Sequence, residues 1–258
     1  MQHRARKRFG QNFLHDKHVI ERIINAFNPQ VGQNIVEIGP GMGALTQPLL
    51  SRLGAGQPLQ VIELDRDLVV KLDHQFGEQL DIHQGDALKF DFSQLRQENK
   101  KLRIIGNLPY NISTPLLFRL LDQIDLIEDM VFMLQKEVVD RIIANAGDGA
   151  FGRLSVIMAY HCQREKLFNV GAGAFTPAPK VDSSILYLKP HPQPPVVLED
   201  FAQFKQLVTA AFASRRKTLR NNLKKYLTAA QIEQAGIDPS QRAECLNLTD
   251  FAKLNAQL

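Results

Sequence analysis

Short apolar runs alternate with amphipathic ones through the first half of this chain, and that alternation constrains its fold more than any other feature. Residues 34–38, 59–63 and 81–84 read as three buried strands, and 103–106 and 130–134 as two more. Helical spacing fills 44–53, 66–76, 114–122 and 137–146 between them. Parallel strands need a crossover, usually a helix, so this β-α-β-α order predicts a mostly parallel sheet with helices on both faces. The runs at 154–160 and 183–188 are expected to add two further strands, antiparallel to the rest. Next, Lys189-Pro190-His191-Pro192-Gln193-Pro194-Pro195 places four prolines in seven residues. Neither a helix interior nor a central strand accommodates that density, so the stretch reads as a semi-rigid linker. The expected organisation is a large α/β domain over 1–189 with a basic arm at 1–14, a linker at 190–196, and a small all-helical domain over 197–258.

Three features at strand ends carry chemistry. Glu37-Ile38-Gly39-Pro40-Gly41-Met42-Gly43 leaves the first strand and enters a helix near Ala44. Glycines there let the backbone turn sharply and approach a ligand where a side chain would clash. Glu63 ends the second strand, 24 residues beyond Gly39, where a carboxylate can bind both hydroxyls of a ribose. Asp86, with Ala87 behind it, follows the third strand and can accept from an adenine amine; a helix N-cap is its alternative role. The pattern Gly39-x-Gly41-x-x-Ala44 also fits a relaxed dinucleotide fingerprint, which keeps a nicotinamide cofactor in competition. Pro40 and three glycines within five residues favour the wider loop of an amino acid–nucleoside cofactor.

The third feature is Asn107-Leu108-Pro109-Tyr110, at the end of the fourth strand. Asn107 can present a neutral amide oxygen, and Pro109 restricts Leu108 so that its carbonyl is held in one direction. Tyr110 offers a flat face for stacking. Two fixed acceptors beside an aromatic plate suit a planar group with an exocyclic amine, that is, a nucleobase. The alternative is a strand-ending turn with a packed tyrosine.

These elements, in this order, resemble a class I S-adenosylmethionine-dependent methyltransferase, with its Rossmann-like sheet. More narrowly, the chain resembles the small-subunit ribosomal RNA adenine dimethyltransferase family. Arg6-Lys7-Arg8-Phe9-Gly10-Gln11-Asn12-Phe13-Leu14 matches that family's N-terminal signature, and the segment from Phe175-Thr176-Pro177 to Ser183 its late motif. Arg215-Arg216-Lys217-Thr218 with Arg220-Asn221 matches its C-terminal one. The resemblance implies cofactor contacts at Asn12, Leu14, Gly39, Gly41, Glu63, Asp86, Ala87 and Asn107, and Phe175 as a second aromatic flanking the target base. It implies S-adenosylmethionine as cofactor, with no metal, and dimethylation of two adjacent adenosines near the 3′ end of small-subunit rRNA. The 54–58 stretch departs from the pattern as a lengthened turn remote from the motifs. Two rivals remain. One is the macrolide-resistance type acting on large-subunit rRNA, and the other an assembly factor whose docking matters more than its catalysis.

The net charge of +4 is modest, so its distribution matters. Residues 201–232 contain Lys205, Arg215, Arg216, Lys217, Arg220, Lys224 and Lys225 and no acid. Arg216, Arg220 and Lys224 recur at helical spacing, predicting one basic helix face, with Leu219, Leu223 and Leu227 on another. Unpaired like charges so arranged suggest an anionic partner, here RNA, with Arg6, Lys7 and Arg8 as a second contact. The immature small ribosomal subunit is the expected partner and a monomer the expected form. Two distant cysteines and no apolar run of membrane-spanning length predict a reduced, cytoplasmic protein.

Overall fold

The computed structural model describes residues 10–258, apart from 55, 57, 98 and 99. In chain order its elements are β1 (Phe13–Leu14), α1 (Lys17–Phe27), β2 (Asn34–Ile38), α2 (Thr46–Leu53), β3 (Leu59–Glu63), α3 (Arg66–Phe76) and β4 (Leu80–Gln84). There follow β5 (Leu102–Asn107), α4 (Ser113–Leu121), β6 (Ile127–Gln135), α5 (Lys136–Ile143), α6 (Arg153–His161) and β7 (Cys162–Val170). The chain ends with β8 (Phe175–Thr176), β9 (Ser183–Pro190), α7 (Phe201–Ala211), α8 (Leu219–Asn222), α9 (Ala229–Gln234) and α10 (Leu248–Asn255).

Contacts divide the chain into two compact units, Met1–Val139 with Glu165–Pro190, and Asp140–Arg164 with His191–Leu258. The first holds a mixed sheet of order β4-β3-β2-β5-β6-β9-β7. Strands β2 to β6 run parallel and β9 runs antiparallel to β6. All five residues of β2 and of β3 are buried, as expected of parallel strands covered on both faces. Short polar devices terminate α1. Asp16 caps α1 by accepting from the His18 and Val19 amides, and Asn28 closes it in the left-handed conformation.

Two buried ionisable groups and their partners tie this sheet together. Arg103 of β5 forms a bidentate pair with Asp129 of β6, both bonds 2.8 Å. Its remaining donors reach the Phe27 carbonyl at 2.7 Å and Gln33 Oε1 at 2.6 Å, so the end of α1 is fastened to the sheet. Glu37 of β2 is 1% exposed and accepts a 2.7 Å hydrogen bond from the Thr46 hydroxyl at the start of α2. Burial, reinforced by the charge of Glu63, pushes its carboxyl up to about 8.

The second unit corrects two sequence expectations. The run at 154–160 lies inside helix α6 and is not a strand. Ser155, Val156, Ile157 and Met158 are consecutive and all buried, and a run buried all round carries no periodicity to separate helix from strand. Residues 140–164 join the C-terminal helices and leave the expected 1–189 domain. Ser155 Oγ donates to the Arg141 carbonyl at 2.5 Å, and the Arg164 guanidinium donates to the carbonyls of Ile142 and Ser155. The helical unit is therefore built from two chain segments. No helix among the described residues is long and apolar enough to cross a membrane.

Two stability predictions follow from the buried groups. Asp129→Ala strands the Arg103 cation in the interior and is expected to cost about 3–5 kcal/mol in urea unfolding; a loss below about 1 kcal/mol would mean the pair does not hold the sheet. Glu37 binds its proton more tightly folded than unfolded. Its contribution is therefore complete below about 4.5 and lost as pH rises through about 8. Glu37→Gln is expected to gain stability relative to the unmodified protein across that window, by at most about 1.4 kcal/mol per pH unit. A difference independent of pH would show that Glu37 is ionised throughout.

Candidate active site

The carboxyl-terminal ends of β2, β3, β4 and β5 open onto a cavity of about 350 Å³. Such a position, where strand order reverses at the middle of an open sheet, is where ligands bind in α/β folds. From β2 comes the glycine loop, with Gly39, Gly41 and Gly43 all in the left-handed region at φ +68°, +59° and +82°. A Cβ on Gly41 would stand 3.3 Å from the Phe13 ring, which together with the φ explains the glycine there. Helix α2 starts at Thr46, two residues later than the sequence suggests, because a turn continues the loop.

From β3 comes Glu63. Its Oε1 accepts from the Asp65 amide at 2.8 Å and its Oε2 from the Gly41 amide at 3.2 Å. Burial raises the carboxyl above its ordinary range, against the pull of those amides. Asp86, beyond β4, lines the cavity with Ala87. Asp86 Oδ1 accepts from the Leu88 amide at 3.0 Å, so the residue organises its own turn while its second oxygen keeps acceptor capacity.

Strand β5 delivers Asn107, Leu108, Pro109 and Tyr110 to the same cavity. The Asn107 Nδ2 donates to the main-chain carbonyl of Asn12 at 3.0 Å. That bond fixes which end of the amide is which and leaves Oδ1 as the acceptor. Leu108 is buried, and its amide donates to the Met133 carbonyl at 3.2 Å. Tyr110 is half-buried, its hydroxyl 2.7 Å from Ser183 Oγ. Asn12 and Leu14 also line the cavity; β1, which contains Leu14, is held there by antiparallel pairing with β8.

Phe175 belongs to the strand pair beside the cavity. It is 3% exposed, is paired with Leu14 and packs in the hydrophobic core. It is not among the residues that line this cavity. A buried phenylalanine opposite a buried leucine is ordinary strand-pair packing. Sequence reasoning missed two contributors, the neutral Glu37 beneath the loop and the Asn12 carbonyl. A backbone group leaves no trace in residue type, but a glutamate inside a five-residue apolar strand is itself a signal.

The basic segment of the second unit is not one helix face. Arg216 lies in a turn, Arg220 inside the four-residue α8, and Lys224 beyond it. The cause is Asn222, whose side-chain amide donates to the carbonyls of Ala211 and Ser214 at 2.7 and 3.0 Å and folds the chain back on the end of α7. Leu219, Leu223 and Leu227 are nevertheless buried, as their spacing predicts. Arg215, Arg216, Lys217, Arg220 and Lys224 are all exposed. Arg215 is engaged within its unit by Glu244 and the Gly149 carbonyl. Arg6, Lys7 and Arg8 lie outside the described residues.

Comparison with known proteins agrees with this geometry. A family model described as ribosomal RNA adenine dimethylase matches residues 2–258. Proteins of Pseudomonas putida and Pseudomonas aeruginosa, each named ribosomal RNA small subunit methyltransferase A, are 55% and 56% identical over 259 residues; the alignments cover 100% of this chain and 96% of each relative. A crystal structure of a dimethyladenosine transferase from Plasmodium falciparum superimposes with a TM-score of 0.76 at 26% identity, covering 94% of this chain and 95% of that one. A 23S rRNA methyltransferase structure, at 22% identity and a TM-score of 0.73, shares the fold. The chain belongs to the ribosomal RNA adenine dimethylase family.

Proposed function

We propose that this protein transfers methyl groups from S-adenosylmethionine to the exocyclic N6 of two adjacent adenosines in the 3′-terminal hairpin of 16S rRNA. The products are N6,N6-dimethyladenosines, formed while the small ribosomal subunit is assembled. The observation that carries this reading is the bond from Asn107 Nδ2 to the Asn12 carbonyl, because it commits the amide oxygen to accepting.

The cavity suits a nucleoside-bearing ligand. Glu63 would hold the ribose hydroxyls and Asp86 the adenine amine. Gly39 and Gly41 leave two positions of the loop without side chains, and a Cβ on Gly41 would crowd the Phe13 ring. Bound there, S-adenosylmethionine supplies a methyl group on a positively charged sulfur. The remaining work belongs to Asn107, Leu108 and Tyr110.

An adenine amine is a poor nucleophile because its lone pair is delocalised into the ring. The Asn107 Oδ1 and the Leu108 carbonyl each accept one of its N–H groups, which favours a tetrahedral nitrogen and frees the lone pair. As positive charge gathers on that nitrogen, it lies against the negative ends of two fixed dipoles, so both contacts strengthen towards the transition state. The alkylated amine is acidic enough to lose its proton to water, and the mechanism assigns no His or Lys to the site. A second methylation proceeds with one N–H left to hold. The base must first leave its stack, at a cost of a few kcal/mol. Stacking on Tyr110, worth about 1–3 kcal/mol, offsets part of that.

The exposed Arg216, Lys217, Arg220 and Lys224 serve rRNA phosphates on this reading, with Arg6, Lys7 and Arg8 as further candidates. The immature small subunit is the partner, the monomer the working form, and the cytoplasm the place of action.

Asn107→Ala is expected to slow single-turnover methyl transfer to unmethylated small subunits by roughly 10²-fold or more, as for loss of one positioned hydrogen-bonding group. Transfer at the unmodified rate would overturn the mechanism. Changing Arg216, Arg220 and Lys224 together to Ala is expected to weaken RNA binding and reduce the salt slope of log K by roughly 2. A slope that does not change would place the RNA elsewhere.

A further inference from the structure

Tyr110 is held at both ends. Its main-chain carbonyl accepts a 2.9 Å hydrogen bond from Ser113 Oγ, a fully buried hydroxyl at the first residue of α4. At the far end of the ring, its hydroxyl and Ser183 Oγ share a 2.7 Å hydrogen bond. Ser183 is itself 0% exposed and opens β9, opposite Gln135 of β6. The neighbouring Lys136 amide donates to the Asp182 carbonyl at 2.9 Å, so that junction is fixed on both strands. The ring therefore reaches from the loop after β5 to the start of β9, two places along the sheet. With both ends tied, the axis of the ring is set by the sheet. Tyr110 lines the cavity and Ser183 does not.

We infer that Ser183 is a positioning residue for methyl transfer: by holding the Tyr110 hydroxyl it sets the plate on which the target base lies, while touching neither base nor cofactor. This rests on the proposed function of the loop from Asn107 to Tyr110. A half-buried tyrosine without this bond can swing about its Cα–Cβ torsion, and a base stacked on it would no longer present its amine to Asn107 Oδ1. A near-attack geometry tolerates little misplacement, so a hydroxyl remote from the reacting atoms can govern the rate.

The test is a double-mutant cycle on Ser183→Ala and Tyr110→Phe. It is read as kcat/KM for methyl transfer to unmethylated small ribosomal subunits, alongside S-adenosylmethionine affinity by calorimetry. Each single change is expected to lower kcat/KM about three- to tenfold, the worth of one hydrogen bond, with cofactor affinity within about twofold of the starting value. The double variant is expected to lose no more than either single one, because both remove the same bond. Ser183→Thr, which keeps the hydroxyl, is expected to recover activity. Losses that multiply in the double variant overturn the inference. So does a Ser183→Ala protein that melts at lower temperature but has full kcat/KM. If Ser183→Ala does not fold, Tyr110→Phe carries the test, and full kcat/KM in that variant overturns the inference. If the unmodified protein transfers no methyl group to the subunit, the reading of the site falls instead.

Discussion

The ends of the two central strands can lie side by side only because position 106 has no side chain. A Cβ there would stand 2.5 Å from the Ile38 carbonyl oxygen, inside the distance at which atoms overlap. Strands β2 and β5 are paired in parallel from Asn34 with Leu102 to Glu37 with Ile105, and just past that register they diverge. One leads into the glycine loop and the other into Asn107. Apart from the segment before β1, the polar groups of the site are placed from one of these ends or from β3 and β4 on the β2 side. A protein interior packs too densely to absorb a misfit locally. A spread of a few tenths of an ångström at Gly106 would therefore be passed on to both the loop and the amide.

Main-chain groups do much of the orienting. Asn107 is turned by the carbonyl of Asn12, the Glu63 carboxylate is met by the amides of Gly41 and Asp65, and the Tyr110 carbonyl is held by Ser113. Asn12 immediately precedes β1, and β1 is held by β8, which contains Phe175. The His15 amide continues that ladder to the Ala174 carbonyl. Burying the Phe175 ring secures the two-residue strand pair, and the pair keeps the Asn12 carbonyl where Asn107 needs it.

How much of this the sequence discloses depends on whether a feature is written in side chains. The strands at 34–38 and 59–63 and the helix at 66–76 are legible to the residue, because apolar period and Asp or Gly boundaries coincide there. The cavity residues from the glycine loop, Glu63, Asp86 and Asn107 were also readable, since each follows a strand in a parallel sheet. Helix α6 was not, for its apolar run is buried on every side. Nor was the break between Arg216 and Lys224, which depends on one asparagine reaching back to carbonyls eight and eleven residues earlier. Helical spacing of charges is only as good as the helix that carries it, whereas the leucines at 219, 223 and 227 are buried whether or not the helix is continuous.

The two carboxyls at the ends of adjacent strands show how a buried site sorts its charge. Glu37 and Glu63 belong to neighbouring parallel strands, and each lies in surroundings that disfavour ionisation. What separates them is the company of donors. Glu37 has a single hydroxyl, that of Thr46, and its carboxyl is raised to about 8, so at neutral pH it is largely a proton carrier locked into the fold. Glu63 has backbone amides on both oxygens, which oppose the effect of burial. A neutral Glu37 removes a like charge from beside Glu63 and so makes its ionisation easier. The outcome is a protonated carboxyl beneath the loop and a second carboxyl at the cavity wall, placed by main-chain amides that cannot titrate. Keeping the Glu37 carboxyl protonated is what lets two adjacent strands carry acids so near each other in a buried setting.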